Sequence, residues 1–183
     1  MKRQQPTTLG FALLGLLHQS PMSGYDLRKV FDETALGNYS SSPGAIYPAL
    51  ARLEELGLIQ AAEDRTRSLR PKRLYSPSQQ GTQVLREWLG RELSGDDVSR
   101  RLDELMLRFA FHWILDSPVD TRRLLEGMQD QLRTHIDDLQ AQRTLFPDNA
   151  PIHTRLALEA GIEQSRASLR WASQALKHFD DTQ

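Results

Sequence analysis

The sequence predicts a mainly α chain in two parts. A winged helix-turn-helix domain with a two-stranded wing occupies residues 1–93, and a helical domain occupies 94–183. Three observations predict this. Most of the short helical periods in the front half begin on a Ser or Thr cap. Two short strand-like runs flank a polar loop carrying the cations Arg65, Arg67, Arg70, Lys72 and Arg73. The back half holds long stretches whose apolar residues recur at alternating spacings of three and four.

Thr7 or Thr8 caps a first helix running to about His18, and its nearly all-apolar sequence implies burial on most sides. Gln19 to Met22 breaks it. Ser23 caps a second helix with Asp26 at the capping-box position, and Leu27, Val30 and Phe31 share one face. Leu36 to Ser41 is a turn, rich in residues that bond their own backbone. The third helix lies in SPGAIYPALARLEELGLI, residues 42–59, with Ile46, Leu50 and Leu53 as its apolar stripe. Pro48 places the start of that helix near Gly44, because a proline deeper in a helix removes a hydrogen bond. Gly57 is a natural stop, after which Leu58 folds back.

Leu58 to Ala62 and Lys72 to Tyr75 form a hairpin with a basic tip. Ser76 is expected to cap a fourth helix, with Pro77 first and Gln79 completing the box; Val84, Leu85, Trp88 and Leu89 form its apolar face. Leu93 to Asp97 marks a boundary. Three helices follow: one striped by Val98, Leu102, Leu105, Met106, Phe109 and Trp113, and one capped by Ser117-Pro118 with Leu125, Met128, Leu132, His135 and Leu139 aligned. In the third, Leu158, Ile162, Ser165, Leu169, Ala172, Leu176 and Phe179 repeat the pattern. Long helices with seam-like stripes want partner helices, so the back half is expected to be a helical dimerisation domain. The expected seam is Leu105, Phe109, Trp113, Leu132, Leu158, Ile162, Leu169 and Leu176.

The chain has 183 residues and no cysteine, so disulfides, a thiol nucleophile and a cysteine zinc site are excluded. A net charge of −1 hides an asymmetry. Residues 1–80 hold ten Lys and Arg against seven Asp and Glu; the rest hold thirteen against seventeen. Lys2 and Arg3 before the apolar run Leu9 to Leu17 imitate a signal peptide, but a polar gap intervenes and no small-x-small cleavage site follows. The run reads as a buried helix, too short to span a bilayer, and a cytoplasmic location is expected.

A basic front points to duplex DNA, whose dense phosphates reward clustered cations. Arg65, Arg67, Arg70, Lys72 and Arg73 lie together with no acid among them, although Glu63 and Asp64 stand beside them. The bland reading is a solvated loop. The start of the third helix adds free N–H groups, the hydroxyls of Ser41 and Ser42, and close approach at Gly44 and Ala45. Tyr47 and Arg52 lie off the apolar stripe, where they reach phosphates or base edges. Tyr47 is read equally as packed under the wing, and Arg52 as paired with Glu55.

The segment SPGAIYPALARLEELGLI resembles the signature of the PadR family of transcriptional regulators. The matching residues are Ser42, Gly44, Tyr47, Pro48, Leu50, Arg52, Leu53, Glu54, Gly57, Leu58 and Ile59. Gly24 and Tyr25 resemble that family's glycine-tyrosine motif, and Arg73-Leu74-Tyr75 with Gly81 its wing strand and helix start. Pro77-Ser78 departs from the Leu-Thr usual there. The back half resembles the virulence-activator-type C-terminal domain of longer relatives. The resemblance implies a homodimer whose C-terminal helices cross between protomers and which represses near a promoter. Two heads presented symmetrically would read a near-palindromic duplex, and the resemblance extends to relatives that respond to small aromatic or lipophilic effectors.

No cofactor and no enzyme activity is expected. The histidines His18, His112, His135, His153 and His178 form no metal pair, and His135 with Asp138 reads as seam or surface. Trp88, Trp113 and Trp171 read as core or seam residues rather than a ligand pocket. A winged-helix protein–protein adaptor without a DNA target is the alternative. A helical hydrolase would need a convergent polar site.

Overall fold

The computed structural model describes residues 5–39, 44–64, 72–147 and 149–180. Its contacts divide the chain into two compact units, Met1–Leu89 and Gly90–Gln183.

In the first unit, α1 spans Thr8–Gln19 and is capped by Thr7, whose side chain accepts from the Gly10 N–H. Residues Gly10 to Leu17 are all buried, as their composition demanded. The Phe11 ring stacks on Trp88 at 4.3 Å between centroids. Helix α2, Gly24–Glu33, carries the expected capping box, with Ser23 and Asp26 bonding reciprocally. Leu27 and Phe31 enter the core, and Val30 is half-buried. The predicted turn begins as a 3-10 helix over Ala35–Tyr39.

Helix α3 spans Ile46–Glu55, with Ile46, Leu50 and Leu53 buried against α1 and α2. Each such side chain contributes about 1.5–3 kcal/mol by leaving water. Pro48 is its third residue, so its missing N–H is one that no helix would have satisfied. The helix ends in a Schellman motif: Gly57 N–H donates to the Glu54 carbonyl and Leu58 N–H to that of Leu53, both at 2.9 Å. Gly57 takes φ +70°, a conformation costly for any residue with a side chain.

Strands β2, Ile59–Asp64, and β3, Lys72–Pro77, form the wing. The wing is the expected two-stranded hairpin, and a third strand not read from the sequence joins its sheet. Met22–Ser23 (β1) pairs antiparallel with β3, giving the order β1-β3-β2. At two residues it is too short to show any alternation, and only its pairing partner defines it. A correction concerns α4, Gln79–Leu89. Its cap is Ser78, not Ser76, because β3 continues through Ser76 and Pro77 opposite Gln60 and Ile59. The Ser78 hydroxyl accepts from the Gly81 N–H at 3.0 Å and donates to the Gly57 carbonyl at 2.6 Å. Leu85, Trp88 and Leu89 are buried, and Val84 is half-buried.

In the second unit, the single helix expected over 98–113 is broken into α5 (Gly95–Ser99), α6 (Leu102–Ala110) and a 3-10 turn at His112–Leu115. The breaks fall at Arg100 and Phe111, which carry no glycine or proline signal. The 3-10 turn closes on Asp116 in the left-handed region. Helix α7, Pro118–Thr144, starts on the predicted Ser117-Pro118 cap. It forms an antiparallel hairpin with α8, Ile152–Asp180. Arg122 ties the open end by donating to the Phe179 carbonyl at 3.2 Å. Leu105, Leu125, Met128, Leu132 and Ala172 form this unit's core, with Phe109 edge-on to Trp171 at 5.0 Å.

Beside this core, Arg91 and Asp97 meet through two hydrogen bonds of 2.6 and 3.1 Å, and Asp97 is wholly buried. Burial opposes ionisation of Asp97, but the Arg91 guanidinium and the Ser94 N–H and hydroxyl outweigh it and lower its pKa to about 2. Arg108, also fully buried, has its pKa lowered to about 10 by burial and by Arg91. Among the described residues no helix is long and apolar enough to cross a membrane.

Candidate nucleic-acid interface

The start of α3 and the facing wing strand bring together the described part of the predicted site. Gly44 and Ala45 precede α3, and Ala45 occupies the cap position without a side-chain bond. The first N–H groups of the helix therefore receive no help from that cap, which is the arrangement that favours an anion. Tyr47 is half exposed and lies beside the wing strand residues Lys72, Arg73 and Tyr75.

The two arginines are both engaged. Arg52 pairs with Glu55 on its own helix, the rival arrangement weighed from the sequence. Arg73 Nη2 reaches Glu54 Oε1 at 2.5 Å, joining β3 to α3, and its guanidinium lies 5.4 Å from the Tyr75 ring centre. Lys72 is exposed beside it, and its charge helps lower the Asp26 carboxyl pKa, behind the larger effect of the Ser23 hydroxyl. Ser41, Ser42, Arg65, Arg67 and Arg70 lie outside the described residues.

The sequence reading left two features of this surface without a role. Tyr25 is highly exposed at the start of α2. With Ser23, Gly24, Tyr47, Lys72, Arg73 and Tyr75 it lines an open cavity of about 370 Å³. The motif containing Gly24 and Tyr25 was visible, but only the β1–β3 pairing brings it to the wing. The second feature is acidic: Glu54 of α3 holds Arg73 of the wing strand.

Of the eight expected seam residues, Leu105, Leu132 and Ile162 are buried inside the protomer. Phe109, Leu169 and Leu176 are partly buried against the same core, and Leu158 is half-buried. Trp113 is half exposed, while Leu145, Ile152 and Leu156 are exposed apolar residues outside the predicted stripe.

Comparison with known proteins places these elements. The sequence model of the Transcriptional regulator PadR-like family matches residues 13–87, and that of the Virulence activator alpha C-term matches residues 103–180. The chain carries a PadR-like family domain followed by a Virulence activator alpha C-term domain. Together the two matches account for most of it, with one match falling within each unit. It is similar to Negative transcriptional regulator PadR of Bacillus subtilis (strain 168), 26% identical over 180 residues, 94% of this chain and 97% of that protein. It is also similar to Transcriptional regulator YqjI of Escherichia coli (strain K12), 35% identical over 79 residues, 43% of this chain and 36% of that one. Among solved structures, Bacillus subtilis PadR in complex with operator DNA matches with TM-score 0.44 and 26% identity, over 94% of this chain and 99% of that chain. The same protein with p-coumaric acid matches with TM-score 0.43 and 26% identity, over 95% and 99%. The family is one of transcriptional regulators.

Proposed function

We propose that this PadR-like regulator is a homodimeric repressor that reads a near-palindromic operator. Helix α3 enters the major groove, and the wing neutralises phosphate through Arg65, Arg67, Arg70 and Lys72, with Arg73 shared between phosphate and Glu54. The observation that carries this reading is the pairing of the start of α3, whose cap residue Ala45 has no capping side chain, with a cationic, aromatic wing strand. The family match to the same elements supports it, and so does the name of the full-length Bacillus relative as a negative regulator. The 94–183 part supplies dimerisation. Since Leu105, Leu132 and Ile162 are used within the protomer, the partner contacts fall on Phe109, Trp113, Leu158, Leu169 and Leu176 and the exposed apolar residues near them. A small aromatic or lipophilic effector would act by favouring one angle between the two reading heads.

A mobility-shift assay on the DNA upstream of its own gene, titrated with salt, tests the reading. Arg67→Ala with Arg70→Ala is expected to weaken binding at least about tenfold at low salt and to lower the salt slope by about two. Equal binding with an unchanged slope removes the wing from the interface. No binding by the wild type to any duplex at low salt defeats the regulator reading.

Glu54→Gln should act in the opposite direction. It removes a negative charge from the DNA-facing surface and releases Arg73 to phosphate. Duplex binding is expected to tighten by about fivefold, with a steeper salt slope, while stability changes by less than about 1 kcal/mol because the pair is exposed. Anisotropy titrations alongside urea denaturation read both quantities.

A further inference from the structure

The cavity beside α3 is walled by three elements. The β1–α2 junction gives Ser23, Gly24 and Tyr25, the first turn of α3 gives Tyr47, and β3 gives Lys72, Arg73 and Tyr75. Among the described residues its lining contains three phenol rings and two cations, and no carboxylate. The nearby acid, Asp26, has its carboxylate turned to the Ser23 hydroxyl at 2.7 Å and the Ser23 N–H at 3.3 Å. Arg73 is held at the side by Glu54, which leaves Lys72 as the cation positioned to meet an anion here.

The ring of Tyr47 has its place because residue 24 is glycine. A Cβ at Gly24 would lie 2.7 Å from Tyr47 Cε1 and 3.3 Å from Cδ1. Gly24 is the first residue of α2 and has no positive φ, so its backbone does not require glycine. The absent side chain matters for the tyrosine ring that lies against it.

We infer that this cavity seats one sugar–phosphate unit of the duplex backbone, with deoxyribose against the tyrosine rings and phosphate between Lys72 and the tyrosine hydroxyls. The inference rests on the DNA-reading function proposed above and adds Tyr25, Gly24 and Tyr75 to its machinery. A free phosphate ion would leave the apolar walls without a purpose. A sugar–phosphate unit uses both the rings and the cation. The cavity flanks the start of α3, where a strand bordering the groove that α3 enters would cross it. A contact of this kind fixes register and carries no sequence information.

The test uses the full chain and fluorescence anisotropy on two labelled duplexes over a series of salt concentrations. One duplex is the DNA upstream of its own gene, and the other is an unrelated sequence of equal length. Lys72→Gln is expected to weaken both by about tenfold and lower the salt slope by about 0.9. Tyr25→Phe keeps the ring and loses one hydroxyl, so it should weaken both by about fivefold with the slope unchanged. Gly24→Ala should displace the Tyr47 ring and weaken both by at least about fivefold. Its melting temperature should hold, because alanine suits a helix start better than glycine. Combining Tyr25→Phe with Lys72→Gln should cost less than the product of the two, since both hold one phosphate.

Wild-type-like binding by Tyr25→Phe and Gly24→Ala overturns the seat while leaving the regulator reading intact. A changed preference between the two duplexes also overturns it, because these tyrosines would then be touching bases. Failure of the wild type to bind either duplex sinks the parent reading and the seat with it.

Discussion

Gly81→Ala is expected to destabilise the first unit by about 3 kcal/mol, even though alanine is the better helix former. Gly81 sits in the first turn of α4, where a Cβ would lie 1.9 Å from the Leu58 carbonyl oxygen and 2.8 Å from its carbonyl carbon. Both are backbone atoms, so no side chain can swing aside. Relief requires the start of α4 to move away from the end of α3. That movement strains the Ser78 N–H bond to the Leu58 carbonyl at 2.9 Å, and the bonds the Ser78 hydroxyl makes with Gly57 and Gly81. The gain from helix propensity, about 1 kcal/mol, is too small to offset this. For a unit of this size the melting temperature should fall by about 10 °C or more, read by thermal unfolding followed through tryptophan fluorescence. Gly161→Ala is the control with opposite sign. There a Cβ meets only Leu139 Cδ1, at 4.0 Å, inside a long helix, so stability should rise by up to about 1 kcal/mol. If Gly81→Ala proves neutral, the close approach of α4 to Leu58 is not a feature of the folded protein.

The same junction shows why some of this fold was legible in the sequence and some was not. Ser23 with Asp26, and Ser117 with Pro118, are local signals, and both caps form as read. Ser76, followed by Pro77 and Gln79, is the cap that local signals select, and the structure uses Ser78 instead. The choice is made by strand pairing, since β3 keeps its register with β2 as far as Pro77 opposite Ile59. Gly57 was readable because a Schellman turn needs a residue that tolerates φ +70°. The breaks at Arg100 and Phe111 were not. The apolar stripe runs across them without interruption, and the bend at Arg100 lets Glu104 approach Arg91 at 3.3 Å. At the candidate interface, the start of α3 and the basic wing were visible as composition. The cavity was hidden because Tyr25 and Tyr75 meet only through the pairing of Met22 with Tyr75. The hold of Glu54 on Arg73 was hidden for the same reason: it joins two elements across the wing.

Asp97→Ala should be the most damaging single change in the second unit, costing about 3–5 kcal/mol. The carboxylate is wholly buried and accepts from Arg91 at 2.6 and 3.1 Å, from the Ser94 N–H at 2.9 Å and from the Ser94 hydroxyl at 2.9 Å. Arg101 adds a further contact at 3.3 Å. Removing it uncaps α5 and leaves Arg91 facing the buried Arg108 with Glu104 as the remaining carboxylate, 3.3 Å from Arg91. Such a change leaves charge buried without its counterpart, which costs more than the pair itself contributes. Asp97→Asn keeps the shape and part of the cap, so it should cost less than alanine and show that charge carries the difference. The sign with pH follows from the lowered pKa of about 2. The ordinary carboxyl pKa is about 3.9, so the unfolded chain takes up the proton first as acid is added. The stabilisation is complete above about pH 4 and is lost as pH falls through the folded value near 2. Urea midpoints measured from pH 6 to pH 2 should fall in that window for the wild type. The Asp97→Asn variant should start lower and decline less steeply. Parallel slopes for the two proteins would mean that other carboxylates govern the acid sensitivity, and that Asp97 does not hold this unit through its charge.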